Sequence, residues 1–175
     1  SYIFKVAPGW TTLDENTIVG LFTYYNDTQE IDIEFARWGQ PDAPNTQYAL
    51  QPAGEKGNLY RFQTEKLTQS TIHSFTWCSE YIDFYSSTLT NVEEYAQKLN
   101  ESNLDKSIMN SWTYTGDDNP LPRTERVHIN FWLMDGLAPV NGEEAEIVVE
   151  EFEFTPDSCD KEVPDEREIG GFPIG

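Results

Sequence analysis

Three carboxylates stand at alternate positions in the run Glu30-Ile31-Asp32-Ile33-Glu34-Phe35. A β-strand points successive side chains to opposite faces. This spacing therefore puts Glu30, Asp32 and Glu34 on one face and Ile31, Ile33 and Phe35 on the other. Like charges crowded on one sheet face repel, so the arrangement is costly unless something uses it. Glycoside hydrolysis is one such use: a carboxylate attacks the anomeric carbon while a second carboxyl group exchanges a proton with the glycosidic oxygen. The other reading is an amphipathic strand with a solvated acidic face, in a chain that is acidic throughout.

Geometry limits the catalytic reading. On a flat strand, α-carbons four residues apart lie roughly 13 Å from each other. Retaining glycosidases hold their two carboxyl groups about 5 to 5.5 Å apart. The glutamates must lean together over Asp32, which predicts a curved sheet with the acids on its hollow face. Asp32, set between them, raises the proton affinity of its neighbours and can share a proton with one of them.

The chain has 175 residues, enough for one domain with a substantial core. Its 31 acidic and 11 basic residues give a net charge of -20, which repels phosphate backbones and anionic membrane surfaces. Nucleic acid and membrane partners are therefore not expected, whereas a neutral polysaccharide, a cation or a basic partner is compatible. No apolar run reaches membrane-spanning length and no signal peptide is recognisable; an opening at Ser1 rather than Met points to a processed or excised product. Aromatic residues make up 14%, which favours strands and supplies surfaces on which sugars stack. Cys78 and Cys159 can form one disulfide or remain two buried thiols.

The elements that must position the acids follow from the patterning. Residues 1–7 alternate as a strand, and Thr17 to Tyr25 is apolar on both faces, as a central strand is. Asn26-Asp27 then turns directly into the acidic strand, which predicts a hairpin. Further strands are expected near 47–51, 59–64, 71–78, 81–86, 126–134 and 146–155. In the strand over 126–134, Val127, Ile129, Phe131 and Leu133 are expected inward, with His128, Asn130, Trp132 and Met134 on the opposite face. Val92, Tyr95, Ala96 and Leu99 recur at helical spacing, which predicts a helical insertion near 91–109. Many short strands with one helical interruption indicate an all-β fold, an antiparallel β-sandwich of jelly-roll type. The domain is expected over 1–156, followed by an acidic C-terminal tail over 157–175.

At Glu30-Ile-Asp-Ile-Glu34 the chain resembles glycoside hydrolase family 16, whose signature is E-[aliphatic]-D-x-(x)-E. Val19 to Tyr24 resembles the strand that enters this signature. His73-Ser-Phe-Thr-Trp77, Tyr81-Ile-Asp-Phe-Tyr85, Asn130-Phe-Trp132 and Glu151-Phe-Glu-Phe-Thr-Pro156 resemble later strands of the family in the same order. Several tens of residues that the family places before residue 1 have no counterpart here. The resemblance implies a curved jelly roll with a carbohydrate cleft, Glu30 as nucleophile, Asp32 as assisting acid and Glu34 as acid/base. One residue between Asp32 and Glu34 is similar to the licheninase branch, which implies a preference for mixed-linkage β-1,3-1,4-glucan. The insertion near 91–109 lies where the family has a short connection, and it either narrows the cleft or decorates an edge.

The expected function is therefore a retaining endo-β-glucanase, and the alternative is a non-catalytic carbohydrate-binding module on the same fold. Trp132 and Asn130 share a face and are candidates for holding sugar; Trp38 is a candidate floor of the cleft. Tyr24 and Gln47 are candidates for contacts to hydroxyl groups. His73 reads as a hydrogen-bonded structural histidine and Trp77 as core. The reaction needs no cofactor and no metal, although a structural calcium is compatible with so acidic a chain. The partner is a polysaccharide or oligosaccharide, the substrate class implies an extracellular or periplasmic location, and the oligomeric state is open.

Overall fold

A computed structural model describes residues 1–100, 106–156 and 159. The strands are β1 (Tyr2–Val6), β2 (Thr17–Asn26), β3 (Gln29–Ala36), β4 (Thr46–Leu50), β5 (Leu59–Phe62), β6 (Thr71–Trp77), β7 (Ile82–Ser87), β8 (Ile108–Tyr114), β9 (Arg126–Leu133) and β10 (Val149–Phe154). Helix α1 covers Val92–Asn100. Among the described residues the strands form two antiparallel five-stranded sheets, in the orders β5-β4-β3-β2-β9 and β10-β1-β6-β7-β8. This is the expected antiparallel β-sandwich of jelly-roll type, and no helix in it is long and apolar enough to cross a membrane.

Alternation along the central strands builds the core. Val19 and Leu21 of β2, Ile31, Ile33 and Phe35 of β3 and Tyr48 of β4 meet Tyr2, Phe4, Phe75 and Phe84 of the second sheet in one buried cluster. Three ring contacts fix how the layers lie: Phe35 on His73 at 4.8 Å, Tyr48 on Phe84 at 4.9 Å and Tyr60 on Trp112 at 5.9 Å. Strands β3, β4 and β5 thus lie over β6, β7 and β8, which leaves β9 and β10 at the same open edge. The acids, alternating with Ile31 and Ile33, face away from the core.

His73 is structural, as its surroundings predict. It is fully buried and shares hydrogen bonds with Thr71 Oγ1 and Ser86 Oγ, each at 2.8 Å. Ser86 in turn shares one with the Tyr48 hydroxyl at 2.7 Å, and the Trp10 indole donates to Thr71 at 3.1 Å. Burial drives the imidazole down to about 3, so it stays neutral. Trp77 packs against the main core and donates to the Pro120 carbonyl. Cys78 and Cys159 form a disulfide.

Three expectations change. Val127, Ile129, Phe131 and Leu133 do point to the inter-sheet side, since they pair across from Thr23, Leu21, Val19 and Thr17. They remain 37–48% exposed, however, because β9 is an edge strand and the equally exposed β10 opposite it does not close over them. The helical stretch expected over 91–109 is helix only at Val92–Asn100; 101–105 lie outside the described residues, and Ile108 and Met109 open β8. Asn91 caps this helix by accepting from the Glu94 amide at 2.7 Å. Its Val92, Tyr95 and Leu99 pack on Ile3 and Ile72, on the back of the second sheet, so the helix itself lies away from the acid face instead of narrowing it. The acidic tail expected over 157–175 lies outside the described residues except for Cys159.

Candidate active site

The hairpin of β2 and β3 and the strands beside it lay out the acid face in rows, because residues directly opposite in antiparallel strands share a face. Asn26 shapes the hairpin turn by accepting from both the amide and the hydroxyl of Thr28. Tyr24 and Arg126 stand in the row of Glu30. Leu59, Ala49, Phe22 and His128 stand in the row of Asp32. Arg61, Gln47, Gly20 and Asn130 stand in the row of Glu34.

The carboxyl groups sit in a trough of their own neighbours. Asp32 is only 3% exposed although it faces away from the core. Burial, then the charges of Glu34 and Glu30, and then the hydrogen bond to Glu30 push Asp32 well above the usual carboxylate range. Gln51 opposes this by donating to Asp32 Oδ2 at 3.2 Å. Glu30 is raised mainly by burial and lowered by the hydrogen bond from Asp32 and by His128. The hydrogen bond between them raises Asp32 and lowers Glu30, so of the two Asp32 holds its proton more tightly and donates it toward Glu30. Glu34 is pushed up to about 7 by burial and by Glu30, against the opposing effects of the Gln47 amide and Arg61. The site thus sets the proton affinities of its carboxyls apart, with Asp32 favoured over Glu30 as proton holder and Glu34 changing protonation near neutral pH.

The expected sugar-contacting residues surround this trio. Gln47 is 4% exposed and donates a short hydrogen bond from Nε2 to Glu34 Oε2. Its Oε1 accepts from the Trp38 indole at 3.1 Å and from Arg61 Nε at 2.7 Å. Trp38, at a left-handed backbone position (φ 56°), lies with its ring centroid 6.1 Å from that of Trp132 in an edge-to-face pair. Trp132 is 42% exposed, which leaves ring surface open above the sheet. Asn130 lies over Gly20: a Cβ there would stand 2.6 Å from Asn130 Oδ1, so only glycine lets the carboxamide rest on β2. The Tyr24 hydroxyl is engaged with Asp27 at 2.7 Å. Glu30, Asp32, Glu34, Tyr24, Gln47, Asn130 and Trp132 share one face, and Trp38 reaches it from the turn after β3.

Sequence reasoning did not single out Arg61 or Gln51 as members of this face, whereas it placed His128 on the same side of its strand as Asn130 and Trp132. His128 stacks on Phe22, directly across from it on β2, with ring centroids 5.1 Å apart. Arg61 enters only through the register of four paired strands, which no local pattern in Leu59–Phe62 announces. Among the described residues no group of three or more His, Cys, Asp or Glu side chains is placed to hold a metal ion.

No protein-family model matches the chain, and no curated protein sequence matches it. Among solved structures, it is similar to a Bacillus licheniformis beta-glucanase at 18% identity and TM-score 0.45, over 75% of this chain and 52% of that one. It is similar to a structure described as a native glycosidic hydrolase at 22% identity and TM-score 0.45, over 79% and 58%. It is also similar to a prokaryotic beta-1,3-1,4-glucanase (lichenase) derived from a mouse hindgut metagenome at 21% identity and TM-score 0.43, over 75% and 52%. The chain spans a little over half the length of these structures.

Proposed function

We propose that this chain is a retaining, endo-acting glycoside hydrolase that cleaves a β-linked glucan, with mixed-linkage β-1,3-1,4-glucan as its preferred polymer. The observation that carries the reading is the placing of three carboxyls on one face of one strand, with Asp32 buried between the glutamates and held by Gln51, and Glu34 held by the Gln47 amide and pushed up to about 7. A retaining glycosidase needs a nucleophile and a proton donor with proton affinities set apart in this way.

In the proposed reaction Glu34 gives its proton to the glycosidic oxygen while Glu30 attacks the anomeric carbon. The bond to the leaving chain breaks and a covalent glycosyl-enzyme forms. Glu34, now ionised, takes a proton from water, and the water oxygen displaces Glu30 from the anomeric carbon with net retention. Asp32 steadies Glu30 as it gains and loses negative charge. Trp132 and Trp38 offer ring surface to the sugar, and Asn130 offers a carboxamide. The chemistry is complete without a cofactor, and a polymeric substrate places the work outside the cytoplasm.

Reducing-end release from barley mixed-linkage glucan, laminarin, xyloglucan and agarose tests the reading. Release from the mixed-linkage polymer, with the β-anomer appearing first in a proton NMR time course, is expected. An α-anomer appearing first would refute retention. Silence across the panel together with retained binding in affinity electrophoresis would favour a carbohydrate-binding module instead.

A further inference from the structure

The Gln47 carboxamide has three partners, and their chemistry fixes which way it faces. The Trp38 indole N–H and the Arg61 Nε–H have nothing to accept with; both are obligate donors. Both point at one atom of the amide, at 3.1 and 2.7 Å. Two donors converging on an amide atom require that atom to be the carbonyl oxygen, whatever orientation a side-chain amide is otherwise given. The NH2 group is thereby turned to Glu34 Oε2. The Arg61 guanidinium carbon also lies 6.0 Å from the centre of the Trp38 ring, so the two donors hold each other in place.

This orientation has a chemical consequence for Glu34. The carbonyl oxygen of a carboxylic acid is a better acceptor than its hydroxyl oxygen, so the oxygen that takes the amide N–H is the poorer home for the proton. The acidic proton is thereby favoured on Oε1. A flipped Gln47 would present its carbonyl oxygen to Glu34 and draw the proton onto Oε2, between the two side chains and out of reach of a glycosidic oxygen.

We propose that Arg61 is a positioning residue that acts through Gln47: with Trp38 it locks the carboxamide so that Glu34 keeps its transferable proton on Oε1. The proposal rests on Glu34 being the proton donor of the reaction proposed above. It also accounts for the one cation among the described residues in the row of Glu34, on the edge strand β5. The groups that face Glu34 are few. Glu30 and Asp32 lie on its own strand and Arg61 on β5; Gln47 of β4 and Gly20 and Phe22 of β2 carry no charge, and His128 of β9 acts on Glu30.

The test follows the Glu34 carboxyl by carbon NMR titration, without substrate, in the wild type, Arg61→Met, Gln47→Met and the double variant. Arg61 is exposed, so its replacement leaves the core untouched. Arg61→Met is expected to move the Glu34 midpoint upward by about half a pH unit or more, and to lower kcat with little change in KM. In the Gln47→Met background the same substitution is expected to move the midpoint much less, because the amide it locks is gone. An unmoved midpoint in Arg61→Met, or an equal movement in both backgrounds, would overturn the lock; the second result would make Arg61 a simple charge. The two readings separate cleanly. A midpoint that depends on Arg61 through Gln47 in a protein that cuts no glycan leaves the lock standing and removes the proposed reaction. An active enzyme whose midpoint ignores Arg61 does the reverse.

Discussion

Glu34 and Asp32 show how strongly position can change one functional group. Both are carboxyls on the same face, two residues apart, and burial raises both. Glu34 is relieved by an amide donor and a guanidinium, which hold it at about 7, whereas Asp32 has two carboxylate neighbours and one amide. In the proposed reaction the donor must be protonated in the free enzyme. The pH profile of kcat/KM is therefore expected to fall on its alkaline side with a midpoint near 7, about tenfold for each further pH unit. Initial rates on mixed-linkage glucan from pH 5 to 9 measure this. An alkaline midpoint near 9 would take Glu34 out of the donor's role. The alternate acids were legible in the sequence, since strand period alone places them together. Which acid keeps which proton was not, because that depends on Gln47 of β4, Gln51 just after it and Arg61 of β5.

At the scale of elements, β3 is positioned by what lies on each side of it. Its apolar residues enter the core and fix the register with β2 and β4, and that register brings Gln47, Gly20 and Asn130 level with Glu34. Gly20 is where two elements depend on one missing atom. Gly20→Ala would set a methyl group 2.6 Å from Asn130 Oδ1, and the flexible end of Asn130 must swing away. The expected result is a fall in kcat/KM of roughly three- to tenfold, or about 1 kcal/mol of transition-state binding, with Tm nearly unchanged. Unchanged kinetics would show that Asn130 does not touch substrate. Most strands could be read from alternation, but β8 could not. Asn110 occupies one of its inward positions, where it accepts from the Tyr60 hydroxyl at 3.1 Å, and a polar residue there hides the period. The inward residues of β9 were assigned to the right side from their spacing. Their exposure was not legible, because it depends on the strand lying at an edge beside β10.

Across the whole molecule, the raised carboxyls of the acid face and the lowered His73 pull stability in opposite directions with pH. Glu34 keeps its proton to about 7 when folded, whereas its ordinary value is 4.5. Between those values the unfolded chain ionises first, so this group makes stability fall as pH rises and level off above about 7. His73 stays neutral down to about 3 when folded, whereas its ordinary value is 6.5. Between those values the unfolded chain takes up the proton first, so stability falls as pH drops from 6.5 toward 3. Tm is expected to peak in the mildly acidic range. Glu34→Gln is expected to lessen the decline toward pH 7, leaving the part that Asp32 and Glu30 supply, and to leave the acid side intact; differential scanning calorimetry from pH 4 to 8 reads both limbs. A decline toward pH 7 that is undiminished in Glu34→Gln would take Glu34 out of its origin. The central claim concerns the face these groups share, and it is tested most directly by Glu30→Gln beside the wild type on barley mixed-linkage glucan. The account predicts reducing-end release by the wild type and a loss of about 10³-fold or more in the variant, with folding and glucan binding retained. Turnover that survives the substitution would contradict it.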